Sequence, residues 1–297
     1  NAVGNKKAIQ IGAAALAVIV ILAGIVFSGP ISRNMAYSKA RKAGVHFSED
    51  KNILTGCQST LITELDIPHG VTIINKKAFR NCQFLKRVTI PDTVTTIEEE
   101  AFYNCSSLEQ VIIPSSVTAI GMHAFASCRN LKEVKIKGKI TELPYGIFDY
   151  CGQLSSIELP DTITTICGNA FISCKNLKKK NIPAGVTRIG QNAFKGCKEL
   201  KSIKLPPNLT EISWGCFARC SGLTEVVIPS KVTAIQSQAF IDCKNLTKVT
   251  IPDSVKEIDK NAFGSCPKLK AVSIPAHTQL AKGFYPSFGM DCKITRR

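Results

Sequence analysis

Histidine and tryptophan are nearly missing from this 297-residue chain, which holds four of the first and one of the second. The imidazoles His46, His69, His123 and His277 are scattered, leaving little room for a histidine-rich metal centre. The chain has no G-x-S-x-G, no H-E-x-x-H and no glycine-rich phosphate loop, so the sequence signs of serine hydrolases, zinc proteases and nucleotide-binding enzymes are absent. It has no C-x-x-C either, despite 13 cysteines. Acidic side chains are in short supply, 22 against 38 Lys and Arg, for a formal charge of +16. A basic balance bears on solubility and acidic partners, not on fold. The cysteine number is odd, which excludes a fully paired intramolecular framework. Apolar material is not lacking: at 44% hydrophobic residues the chain can build a core, and general disorder is excluded.

The chain starts at Asn1 and not at Met, which points to residues upstream. Ala8 to Phe27 carries no charge and one side-chain amide, Gln10. A helix of that length covers roughly 30 Å, the thickness of a bilayer core. Gly29-Pro30 then stops it. The segment 8–28 is therefore read as a single transmembrane helix inserted in a lipid bilayer through Ala8–Phe27. A cleaved signal peptide is the alternative, and the apolar run is longer than a usual signal core. Lys6 and Lys7 precede the span, and Arg33, Lys39, Arg41 and Lys42 follow it, so a positive-inside count does not favour an external C-terminus. Ser32 to Lys42 reads either as a short basic helix or as a solvated juxtamembrane linker.

From residue 62 onward one period dominates. Phenylalanine stands at Phe79, Phe102, Phe125, Phe148, Phe171, Phe194, Phe217, Phe240 and Phe263. Cysteine stands at Cys82, Cys105, Cys128, Cys151, Cys174, Cys197, Cys220, Cys243 and Cys266. Both series advance by 23 residues without a slip. The unit reads L-x-x-V-x-I-P-x-x-V-T-x-I-x-x-x-A-F-x-x-C-x-x. Val88 and Ile90 alternate with Arg87 and Thr89, which predicts a short strand with one buried face. Pro91 ends it. Val94 and Ile97 lie on a second extended or turn segment, and Ala101, Phe102 and Cys105 complete the inner wall. Such a unit cannot bury its apolar side alone, so copies must stack into a solenoid. The predicted divisions are a flanking segment 1–7, the helix 8–28, a juxtamembrane linker 29–46, an N-terminal cap 47–61, nine repeats over 62–268, and a partial tenth repeat with a C-terminal cap over 269–297. Several positions break the pattern: Lys137-Gly138 stands where proline is usual, and Cys216 replaces alanine with another small buried residue. Ile147 replaces the usual alanine, and Lys180 falls where an apolar residue faces the core, so it must snorkel outward or the strand must bulge.

This motif resembles the BspA-like leucine-rich repeat family of bacterial and protist surface proteins, over residues 62 to about 292. The resemblance implies an α/β repeat solenoid of 23-residue units, mostly strand and turn, with a curved parallel β-sheet on its concave face. It also implies cell-surface display, adhesion to host or matrix proteins, and no catalysis. The chain is accordingly expected to be a single-pass cell-membrane protein with the repeats outside, with a cytosol-facing scaffold as the weaker alternative.

The regular ladders read as core. Buried free cysteine is a common small core residue, and parallel side chains on stacked units suit disulfides poorly. Cys216 and Cys220 form a C-x-x-x-C on core positions, without the partners a zinc site requires. Thr72, Thr95, Thr118, Thr141, Thr164, Thr187, Thr210 and Thr233 form a third ladder, expected to hydrogen-bond between neighbouring turns. Binding residues are expected where the strands vary, at Arg87 and Lys135 among others. Between Lys175 and Lys204 there are nine Lys or Arg and one acid, Glu199. Lys178, Lys179, Lys180, Lys201 and Lys204 are the candidate contacts for an anionic polymer such as a teichoic acid or a sulfated or mucin glycan, against the plainer reading of a solvated lysine face. No cofactor and no metal is expected. Nucleic acid is not expected, because no exposed aromatic residues interleave the charges.

Overall fold

The computed structural model describes residues 30–281, 286–289 and 291–297; for residues 30, 31 and 179–181 it describes the backbone and not the side chains. The expected span Ala8–Phe27 lies outside the described residues. Among those described, no helix is long and apolar enough to cross a membrane.

Stacked turns build the array, with two columns of parallel strands. The longer column starts with β3 (Glu64–Asp66), β5 (Arg87–Thr89), β7 (Gln110–Ile113), β9 (Glu133–Ile136) and β11 (Ser156–Glu158). It continues through the pairs β13 (Lys179–Asn181) with β15 (Ser202–Lys204), β17 (Glu225–Val227) with β19 (Lys248–Thr250), and β21 (Ala271–Ile274) with β23 (Lys293–Arg296). Partners occupy the same position in successive repeats, as in Val111 with Val134 and Glu64 with Arg87. The second column is made of two-residue strands such as β6 (Thr96–Ile97) and β8 (Ala119–Ile120), also parallel. The V-T-x-I segment is thus a second sheet and not a turn. The expected α/β class is corrected in the same sense: no α-helix occurs among the described residues of the array, and the α element is one helix outside it. With no helix between its strands, each unit closes within a single repeat through tight turns.

Proline sets the corner between the two columns. Its ring ends the first strand, and its carbonyl accepts the N–H of the residue three ahead, as in Pro91 to Val94 (3.1 Å) and Pro114 to Val117 (3.2 Å). A further corner surrounds A-F-x-x-C. Two residues per unit are left-handed there, one two places before the phenylalanine and one just before the cysteine. Glu100 (φ 56°) and Asn104 (φ 58°) show this, as do Gln238 (φ 60°) and Asp242 (φ 58°). Side chains in this region cost roughly 1–2 kcal/mol each relative to right-handed backbone. They are held there because the reversal turns phenylalanine and cysteine inward while the N–H of Phe102 reaches Ala124 O (2.8 Å) in the next unit.

Ten phenylalanine rings form one continuous stack. Neighbouring centroids lie 4.9 to 6.0 Å apart with interplanar angles of 4° to 22°. The widest gap, 6.0 Å between Phe125 and Phe148, adjoins Ile147, whose bulk replaces alanine. The tenth ring is Phe288, which stacks on Phe263 at 4.9 Å. The period would place this ring at position 286, where Pro286 stands instead. The C-terminal segment thus completes the stack out of sequence register. At the other end β1 (Val45–Phe47) pairs antiparallel with β2 (Ile53–Cys57), closing the second column. The segment divided off as a linker contains helix α1 (Pro30–Lys42), whose Tyr37 and Ala40 are buried. The helix reading of Ser32–Lys42 is the one observed. Tyr37 stacks edge-on to Phe47 (4.9 Å), and its hydroxyl donates to Lys51 O (2.7 Å).

Lys180 shows no bulge in the pairing of β13 with β15, where it stands opposite Ile203. On the preceding rung Ile157 of β11 is half-buried where Val111 and Val134 are fully buried.

Candidate functional site

The side chains available to a partner are those at alternate positions of the longer column. Pleating turns Val88, Val111 and Val134 inward and leaves their neighbours exposed. The outward row carries Glu64, Arg87, Gln110 and Glu133, and beside it Asp66, Thr89, Ile112, Lys135 and Glu158. Arg87 does not stand free. Its guanidinium donates to Glu64 (2.9 Å) and to Asp66 (3.2 Å), while Thr89 Oγ1 donates to Asp66 (2.7 Å). The hydroxyl and then the guanidinium hold the Asp66 carboxyl below its ordinary pKa. Lys135 pairs with Glu158 (2.5 Å). Two of the cations named as binding residues are therefore engaged by acids one unit away. Exposed ion pairs of this kind contribute little stability, but they hold these side chains in fixed positions across a flat strand surface. Ile112 and Val227 are 42% and 62% exposed on the same outward face. A cavity of about 500 Å3 lies against Arg87, Thr89, Gln110 and Ile112.

The lysine cluster is organised differently. Lys178, Lys201 and Lys204 are exposed and make no ion pair among the described residues. The register of β13 with β15 places Lys179 beside Ser202 and Asn181 beside Lys204, which brings the two lysine-rich segments onto adjacent rungs. The side chains of Lys179 and Lys180 lie outside the described set.

A polar hollow of about 460 Å3 lies on the left-handed corner and was not anticipated in the sequence. Its walls are Arg80, Glu100, Tyr103, His123, Asp149 and Tyr150. Arg80 lies over the Tyr103 ring (4.7 Å) and pairs with Glu100. Gly146 makes room for His123: a Cβ at Gly146 would stand 2.3 Å from the imidazole Cε1. His123 thereby leans over the next unit, edge-on to Tyr145 (5.4 Å) and 4.0 Å from Asp149 Oδ2. Burial pushes Asp149 up to about 6, and its Oδ1 is buried without a hydrogen-bond partner. The available signal was His123 and Asp149, which recur at their repeat positions in no other unit, one repeat away from Gly146, whose position is glycine again only at Gly215.

The cysteine ladder is buried and its thiols are free. It is also more specific than core filling. From Cys105 to Cys266, each thiol donates to the carbonyl of the phenylalanine in the preceding unit, at 3.1–3.3 Å. Burial pushes these thiols upward, Cys128 to about 12, so they remain protonated donors. Threonine works in the same way: Thr95 Oγ1 donates to Thr72 O (3.2 Å) and Thr187 Oγ1 to Thr164 O (3.3 Å), as expected for bonds between turns. No cluster of metal ligands occurs among the described residues.

The BspA type leucine-rich repeat region matches this chain in six copies over residues 55–178 and 164–286. A leucine-rich cell surface protein from Faecalibacterium prausnitzii is 32% identical, with a TM-score of 0.52 over 70% of this chain. The chain spans 58% of that protein's length. A leucine-rich repeat protein from Eubacterium ventriosum is 21% identical over 82% of this chain and 89% of its own, with a TM-score of 0.49. The pneumococcal vaccine antigen PcpA is 20% identical over 80% of this chain and 68% of its own, also at 0.49. No curated protein matches the chain.

Proposed function

The chain belongs to the BspA-type leucine-rich repeat family, and from that premise we propose that it is a cell-surface module that binds other proteins through the outward face of its longer strand column. Proteins of this kind are generally binding scaffolds and not enzymes. One observation carries the reading. The inward positions repeat nearly unchanged, whereas the outward ones vary and include exposed Ile112 and Val227. Apolar residues on a rigid, otherwise polar face are what a protein partner buries at an interface core. Adhesion to a host or matrix protein is the function proposed, with the segment Ala8–Phe27 as the tether. The test measures binding of the full chain to immobilised matrix proteins. Ile112→Asp together with Val227→Asp should weaken binding at least tenfold with the fold intact, and unchanged binding refutes the assignment of this face. Protease added to intact cells should release the array, and complete protection refutes surface display.

The second reading is an anionic polymer on the lysine cluster, supported by the exposure of Lys178, Lys201 and Lys204 without paired acids. Binding of this kind should fall steeply with salt. Lys201→Glu with Lys204→Glu should abolish retention on sulfated glycan, and retention that survives both changes rejects the patch.

A further inference from the structure

The strand face and the lysine cluster leave the hollow on the left-handed corner without a role. Its origin is local. Arg80, Tyr103, Ala126 and Asp149 hold the same position in four successive units. Ala126 is buried and has no bulk to fill the space between Tyr103 and Asp149, so a depression opens there. One place further on, the slot before each ladder cysteine is left-handed. Asn81, Asn104 and Ser127 fill it in three of these units, short polar side chains suited to that backbone. The fourth unit carries Tyr150 in the same slot (φ 57°), with its ring 56% exposed. A bulky side chain in this region is strained, and strain of this kind gathers at ligand sites.

We propose that this hollow binds a neutral saccharide, one or two sugar rings seated between Tyr103 and Tyr150. The two tyrosines are two units apart and so flank a gap of roughly 10 Å, at about 4.8 Å per rung. The volume of about 460 Å3 falls in the range of small-ligand sites. Tyrosine offers an apolar ring to the C–H face of a sugar and a hydroxyl to its rim. The Arg80 guanidinium, 4.7 Å from the Tyr103 ring centroid, holds that ring in place. Arg129 is exposed and makes no ion pair among the described residues, so its guanidinium can donate to sugar oxygens. The Asp149 carboxyl accepts no hydrogen bond among the described residues. Its Oδ1 is closed off, and its Oδ2 lies 4.0 Å from the His123 imidazole, beyond hydrogen-bond distance. Oδ2 is the acceptor assigned to a sugar hydroxyl. Charge decides for a neutral ligand. Two arginines stand with two carboxylates, Glu100 and Asp149, and burial raises Asp149 only to about 6, so it is largely ionised at neutral pH. Apart from the imidazole the charges cancel, which gives a charged sugar no advantage while hydroxyls find both donors and acceptors.

The experiment records saturation-transfer NMR of the full chain with glucose, galactose, mannose, N-acetylglucosamine, lactose and maltose. Glucuronic acid and glucosamine are the charged counterparts of glucose. At least one neutral sugar should bind with a dissociation constant on the order of 1 mM. Tyr150→Ala and Arg129→Ala each change an exposed side chain. Each should weaken binding roughly tenfold or more while the circular dichroism spectrum stays that of the parent. Binding should also persist on adding salt, which separates it from retention on the lysine cluster. No binding of any neutral sugar would overturn the proposal. So would tighter binding of glucuronic acid or glucosamine than of glucose, a steep fall with salt, or binding that survives both substitutions.

Discussion

Replacing Phe171 by alanine tests whether the ring stack is what joins the two halves of the array. The side chain is fully buried, and its ring lies 5.8 Å from Phe148 and 5.2 Å from Phe194. Truncating a buried phenylalanine costs about 3–5 kcal/mol. Part of that is the two lost aromatic contacts, about 0.5–1.5 kcal/mol each beyond area burial. The site matters because Phe171 lies near the middle of the ten-ring stack, with four rings on one side and five on the other. At this boundary the ring stack couples the halves alongside the turn bonds and the strand pairing. In a solenoid, stability is a sum of unit and nearest-neighbour terms, so a loss of about 4 kcal/mol at one interface rivals what couples the halves. Trp214, the single tryptophan, sits in the C-terminal half against Lys195 and reports that half alone. Urea unfolding of the parent chain should give coincident midpoints by far-UV circular dichroism and Trp214 fluorescence. In Phe171→Ala the two curves should separate, because the halves no longer unfold as one. The same change at the terminal Phe288 should fray one end and leave the two probes coincident. Coincident midpoints in Phe171→Ala, or a loss under about 1 kcal/mol, would refute the argument.

Asp149→Asn should have a pH-dependent effect of known sign. Burial raises the folded pKa from the ordinary 3.8 to about 6, so the group's contribution is fully present below about pH 3.8 and is lost as pH rises through 6. The asparagine variant should therefore gain about 1–2 kcal/mol on the parent at pH 8, a figure discounted for partial exposure, and nothing at pH 3.5; melting temperatures at the two pH values check it, and a gain at the acid end contradicts the sign. Gln238→Gly should stabilise the array. The left-handed backbone at φ 60° costs roughly 1–2 kcal/mol for a side chain, and glycine's added entropy cost is roughly 0.5–1, leaving a net gain near 0.5–1 kcal/mol in urea unfolding. A loss of stability there would show that the Gln238 side chain makes a bond that outweighs backbone strain.

The legible part of the fold was whatever depends on which residues recur. The inward identity of Leu85, Val88, Ile97, Phe102 and Cys105 follows from the period, because only a stack can bury that many aligned apolar positions. The threonine bonds between turns followed from the same alignment. Phe288 was harder to place, since the period points to Pro286 and only the stacking on Phe263 reveals the tenth ring. The helix at 30–42 was one of two readings, because its burial rests on two residues, Tyr37 and Ala40.

The binding surface was less legible for a related reason. A charge census finds Arg87 and Lys135 but cannot see that Glu64, Asp66 and Glu158 reach them from the adjoining rung. The hollow at His123 and Asp149 was invisible because its walls come from several units and repeat in none. By itself, then, the sequence determined the unit length, the number of stacked units and the identity of the core, since a strict period fixes which side chains share a wall. Tertiary structure decided what each polar group bonds to: thiols to phenylalanine carbonyls and Arg87 to two acids. Those partners lie about one turn of the solenoid away along the chain, and hydrogen bonds and ion pairs are decided by a few ångströms of geometry that only the stacking of one turn on the next supplies.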